Sequence, residues 1–146
     1  MTGAGFDLER FLDAQAPVIG QVQSELRAGA KRTHWMWFVF PQIAGLGHSA
    51  MAQRYAIASL DEAKAYAAHP VLGIRLRDCT ALVLATEGKN LHQIFGSPDD
   101  LKFRSCMTLF AHAAPEETLF RQALERFFGG RQDALTMAQL RDNTGD

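Results

Sequence analysis

The residues with chemistry to offer in this chain of 146 gather between His34 and Ser49. The run His34-Trp-Met-Trp-Phe-Val-Phe-Pro-Gln42 holds both tryptophans and two of the ten phenylalanines, and it leads directly into Gly45-Leu-Gly47. Trp35 and Trp37 present flat faces on which a ring can stack, and Gln42 adds an amide able to make directed hydrogen bonds. Gly45 and Gly47 let the backbone approach a neighbour closely, and Ser49 is placed to cap a helix carrying Tyr55. A helix start behind a glycine turn suits a phosphate or carboxylate, although an ordinary turn followed by an N-cap uses the same residues. The aromatics, too, have a second reading, because indole and phenyl rings fill the middle of a core as readily as they line a pocket.

Further along, Lys102 and Ser105, with Arg104 between them and Asp99 and Asp100 just before, can hold an anion or form the solvated first turn of a surface helix. Five histidines are present, at 34, 48, 69, 92 and 112, and no two have the close helical spacing of a metal motif, so no metal is expected. His34 and His48 flank the aromatic run and can serve as acid or base, or simply pack. Ser49 or Ser105 as a nucleophile requires a partnered base, and both also read as caps or buried hydroxyls. Gly45, Gly47 and Ala50 match the spacing of a dinucleotide fingerprint, but that pattern has meaning only between a strand and a helix, so no cofactor is expected.

The elements that must position these groups read as helices. Phe6 to Ala28 carries Leu8, Phe11, Leu12, Val18, Ile19, Val22 and Leu26 at three- and four-residue steps, with Asp7 as a cap, Gly29 as a stop and Pro17 as a kink or a restart. Ser59-Leu-Asp-Glu62 has the capping-box spacing. Pro70 opens the next stripe, Val71 to Val83, and Ser97-Pro-Asp-Asp100 opens another; Pro115-Glu-Glu starts the stripe that ends at Gly129-Gly130. Thr136 reads as the cap of a last short turn. Only Trp35 to Phe40 has the composition of a strand, and lacking a partner it reads as a buried extended connector or a short helical turn. The expected architecture is all-α: a compact single-domain bundle of about five to seven helices around a buried aromatic connector, spanning residues 1–146 with an ordered core over 6–142.

Fifteen basic residues against sixteen acidic ones leave a formal charge of −1, which gives no global field to draw nucleic acid or an anionic membrane. Cys79 and Cys106 both fall inside apolar helical patterns and read as buried reduced thiols. No apolar run is long enough to span a bilayer and no secretory leader is apparent, so the expectation is a cytoplasmic protein.

The tryptophan run, Gly45-Leu-Gly47, Ser49, Tyr55, Glu62-Ala63, Tyr66, His69-Pro70, Leu72-Gly73 and Arg75-Leu76 resemble the bacterial family called domain of unknown function 1810. The match continues through Phe11, Ala14-Gln15, Ile94-Phe95-Gly96, Asp99, Lys102, Ser105 and Met107-Thr-Leu-Phe110. The resemblance implies a compact, mostly helical domain and assigns no activity. A more distant similarity, to small helical enzymes that process ADP-ribose and N-glycosidic bonds, implies a base stacked on Trp35 or Trp37, phosphate at amides near Gly47, and Glu62 or Asp99 against an oxocarbenium-like charge.

The leading expectation is therefore a small-molecule or anion-binding domain, of nucleotide or ADP-ribose type. Its pocket is drawn from His34, Trp35, Trp37, Gln42, Gly45, Gly47, Ser49, Tyr55, His69, Arg75, Lys102 and Ser105. The alternatives are a protein–protein interaction module without catalysis and an N-glycosidic hydrolase.

Overall fold

The computed structural model describes residues 6–143, and over them the chain is helical, with no strand beyond one isolated bridge. Ten helices follow one another: α1 (Glu9–Gln15), α2 (Ile19–Arg27), α3 (Met36–Val39), α4 (Ala50–Arg54), α5 (Leu60–Ala68), α6 (Leu72–Ala85), α7 (Leu91–Phe95), α8 (Asp99–Ala113), α9 (Leu119–Phe128) and α10 (Ala134–Asn143). The all-α class is as expected, but the count exceeds five to seven. Helices of four or five residues such as α3, α4 and α7 span too few turns to display a period of 3.6.

Each break has a local cause. Pro17 lacks the amide that would continue α1, so the stripe from Phe6 divides into α1 and α2. Asp7 does not cap α1, whose N-cap is Leu8 with no side-chain bond. The backbone carbonyl of Asp7 instead accepts from Arg10, which also donates to the carbonyls of Arg54 (2.9 Å) and Ala56 (2.8 Å) and ties α1 to the α4–α5 connection. Gly29, at φ 69°, closes α2 in a conformation that a Cβ would strain.

Ser59 caps α5 by accepting from the Glu62 amide (3.2 Å). The reciprocal bond is displaced by one residue: the Glu62 carboxylate accepts from the Ala58 amide (2.6 Å) and pairs with Arg10 (3.0 Å). The box geometry is met in full at Asn90 and Gln93, which start α7. Asp133 starts α10 by accepting from the Thr136 amide (2.9 Å) and hydroxyl (2.7 Å), so Thr136 lies buried inside that helix and is not its cap.

The long α8 runs through the centre, packed against α5, α7, α9 and α10. Its Phe103, Cys106, Met107 and Phe110 have no solvent exposure. Phe103 meets Phe40, Phe95 and Phe127, while Phe110 meets Tyr66 and Phe120, with ring centroids 5.1–6.3 Å apart. α6 crosses α5 at Gly73, where a Cβ would stand 2.2 Å from the Ala67 carbonyl oxygen. That crossing needs a residue without a side chain. Both cysteines are free and buried, and burial pushes the Cys79 thiol up to about 12 and the Cys106 thiol well above its ordinary value.

Candidate functional site

The start of the segment from Arg32 to Ala56 is held by one carboxylate. Glu25, near the end of α2, is buried and accepts five hydrogen bonds: from the amides of Arg32 (2.7 Å) and Thr33 (3.1 Å), the Thr33 hydroxyl (2.7 Å), the Gln21 amide group (2.9 Å) and Trp35 Nε1 (3.0 Å). Burial by itself would raise its pKa. The donors from Arg32, Gln21, Thr33 and Trp35 together outweigh burial and hold it at about 2. The loop after α2 is thereby locked, and Trp35 is placed inside the core at 1 % exposure.

Two residues later the chain turns through α3 and brings Trp37 to the surface, half-buried. The aromatic run thus becomes a helical turn flanked by extended chain. Its continuation is held by a parallel bridge in which Ile57 donates to the Gln42 carbonyl and Ala44 donates to that of Ile57, both at 2.8 Å. Behind the turn, Gln15 donates to the Phe38 carbonyl (2.6 Å) and to the Tyr66 hydroxyl (3.0 Å). Burial drives the Tyr66 pKa far up, so the phenol stays neutral.

The curve from Trp37 to Ala56 encloses a cleft of about 170 Å³. Trp37, Gln42, Gly45, Gly47 and Tyr55 all line it, so five of the twelve candidate residues come together. Gln53, Ile43 and the small side chains of Ala44, Ala52 and Ala56 complete the wall. Among the described residues, neither the Gln42 amide group, the Trp37 indole N–H nor the Tyr55 hydroxyl has a hydrogen-bond partner, yet none is sealed from solvent. Gln53 donates to the His48 carbonyl (2.9 Å). The glycines serve the protein's own packing: a Cβ at Gly45 (φ 101°) would stand 2.8 Å from the Gln139 side chain, and one at Gly47 would stand 2.6 Å from Ala52.

The other seven candidates lie elsewhere. Trp35 is enclosed. Ser49 caps α4, accepting from the Ala52 amide (3.1 Å), which uses the amide an anion would need. His69 ends α5, and its Nδ1 accepts from the amides of Val71 (3.1 Å) and Leu72 (3.2 Å) at the start of α6. Arg75 donates to Gln15 Oε1 (3.4 Å). Ser105 is buried and donates back to the Leu101 carbonyl (3.3 Å). His34 is exposed and does not line the cleft.

Lys102 has its ammonium 5.7 Å from the Trp37 ring centre and 3.6 Å from Asp99. Asp99 also holds Lys31 (2.9 Å), whose ammonium lies 5.2 Å from the Trp35 ring centre. One carboxylate therefore anchors a cation over each indole. Neither Glu62, engaged by Arg10, nor Asp99 lines the cleft, so no carboxylate faces it.

Gln53 was not legible as part of this wall. A glutamine in the last turn of a short helix carries no distinguishing signal until the turn before it is known.

The profile of a family described as protein of unknown function (DUF1810) matches residues 5–140. The chain belongs to this family. Among solved structures it resembles a conserved hypothetical protein from Mycobacterium tuberculosis, at 54 % identity and a TM-score of 0.92, over 93 % of this chain and 97 % of that one. No curated protein matches significantly. Membership therefore brings a fold without an activity. Among the described residues no helix is long and apolar enough to cross a membrane, and no group of three or more His, Cys, Asp or Glu side chains is arranged to hold a metal ion.

Proposed function

We propose that this DUF1810 protein binds a small, uncharged ligand in the Trp37 cleft through one planar, hydrogen-bonding head such as a carboxamide or a single heterocycle. The observation that carries this reading is that three side chains with unpartnered polar groups, those of Trp37, Gln42 and Tyr55, line one concave wall. Together they supply donors and an acceptor beside an indole, the mixture by which pockets orient flat polar groups.

Size and charge narrow the ligand. Sites for drug-sized molecules occupy roughly 300–1,000 Å³, so a cleft of about 170 Å³ takes a head group and not a whole dinucleotide. Its wall contains no lysine or arginine to meet phosphate, and Lys102 nearby is already paired with Asp99. Of a nucleotide-type ligand, only the base has a place here.

Native mass spectrometry of freshly purified protein, alongside a set of uncharged carboxamides and single-ring heterocycles followed by NMR of the Trp37 indole proton, tests the proposal. A copurified or added compound should move that proton, and Trp37→Ala and Gln42→Ala should each abolish binding while remaining folded. An indole signal unmoved by every compound at millimolar concentration would refute it and shift weight to an interaction module.

A further inference from the structure

A second and larger cavity, of about 490 Å³, opens on another face, between the C-terminal end of α8, the length of α9 and the linker to α10. Its floor is apolar, formed by Ala111 and Leu124, both buried. Its rim carries Arg121 and Glu125, one turn apart on α9 and so on the same face of that helix. Neither has an ion-pair partner among the described residues, and Glu125 has no side-chain hydrogen bond there either. Arg121 spends one N–H on the Pro115 carbonyl (2.7 Å), which fixes its guanidinium beside the opening.

The remaining wall is held in place. Arg104 donates to the carbonyls of Arg131 (3.0 Å) and Gln132 (3.1 Å), and Asp133 donates its amide to Thr108 (2.9 Å). His112 Nε2 lies 2.6 Å from Gln132 Oε1, an oxygen that only accepts, so the ring nitrogen donates. Gly130, at φ 81°, lets the linker pass beneath Glu125: a Cβ there would be 2.8 Å from the carboxylate. The linker wall held by these contacts loses little freedom on binding.

We propose that this cavity binds a small zwitterion with an apolar body, of the α-amino-acid class, its ammonium on Glu125, its carboxylate on Arg121 and its side chain on Leu124 and Ala111. Opposite charges that do not satisfy each other, set one turn apart over a hydrocarbon floor, match the charge order of such a molecule. The volume is within the range of small-molecule sites. This site is separate from the Trp37 cleft and stands or falls independently of it.

The test is a titration of the whole protein with L-leucine, L-methionine and L-phenylalanine, followed by two-dimensional amide NMR. The analogues leucinamide, without the carboxylate, and 4-methylpentanoate, without the ammonium, form the second arm. At least one amino acid should shift the amides of Leu124, Gly130 and Gln132 and leave the Trp37 indole unmoved, and neither analogue should do so at the same concentration. Glu125→Gln and Arg121→Gln alter exposed side chains and should each weaken binding about tenfold or more, with unchanged circular dichroism showing that they fold. The proposal is overturned if no amino acid shifts those amides at millimolar concentration, if an analogue binds as well as its parent, or if the folded variants bind as the wild type does.

Discussion

Glu25 satisfies five donors with two oxygens, and those donors belong to the loop that sets Trp35 in the core. Glu25→Ala would leave the buried Trp35 N–H unpaired, at about 1–3 kcal/mol, and free four further donors on residues that solvent reaches, so a total loss of about 3 kcal/mol is expected in urea denaturation. The same residue predicts a pH dependence. Its pKa falls from the ordinary 4.5 to about 2 on folding, so its contribution, about 3 kcal/mol, is complete above pH 4.5 and is lost as the pH drops toward 2. Denaturation midpoints measured across that range should slope for the wild type and lose that component in Glu25→Gln. The two thiols sit at the opposite extreme. Raised by burial and without exposure, Cys79 and Cys106 should resist alkylation in the native protein and react only as it unfolds.

At the scale of elements, caps and glycines decide where helices lie. Ser59→Ala should cost about 1 kcal/mol by removing the α5 cap, a modest drop in melting temperature. Gly73→Ala should cost about 3 kcal/mol, since a methyl cannot stand 2.2 Å from the Ala67 carbonyl oxygen unless α5 and α6 separate. Much of this was legible in the chain. Pro17 divides the first stripe, Ser49 and Ser59 cap, and Gly29 and Gly129 stop their helices as their types and places suggested. What escaped were elements defined by contacts at a distance. Asp133 takes the role assigned to Thr136 because Thr108, on α8, accepts the Asp133 amide and positions it (2.9 Å). His69 is a local exception: its ring nitrogen accepts the amides that open α6, a use its spacing did not announce.

For the whole molecule, periodicity was enough to give the fold class, because apolar stripes on helices must face one another. It was not enough to say which of the aromatic residues face inward. Trp35 and Trp37 are two positions apart, and only the turn of α3 sends one into the core and the other to the cleft. Trp35→Ala should therefore cost about 3–5 kcal/mol and Trp37→Ala far less, a difference that thermal unfolding would resolve. The cavity under Arg121 and Glu125 was invisible for a related reason: its walls come from three elements whose residues show nothing unusual until they are brought together. This division between the indoles gives the protein two intrinsic fluorophores in unlike solvents. The enclosed one should emit toward the blue and ignore iodide or acrylamide, while the half-covered one should emit toward the red and be quenched, so changes at the cleft and loosening of the interior can be followed separately in one spectrum.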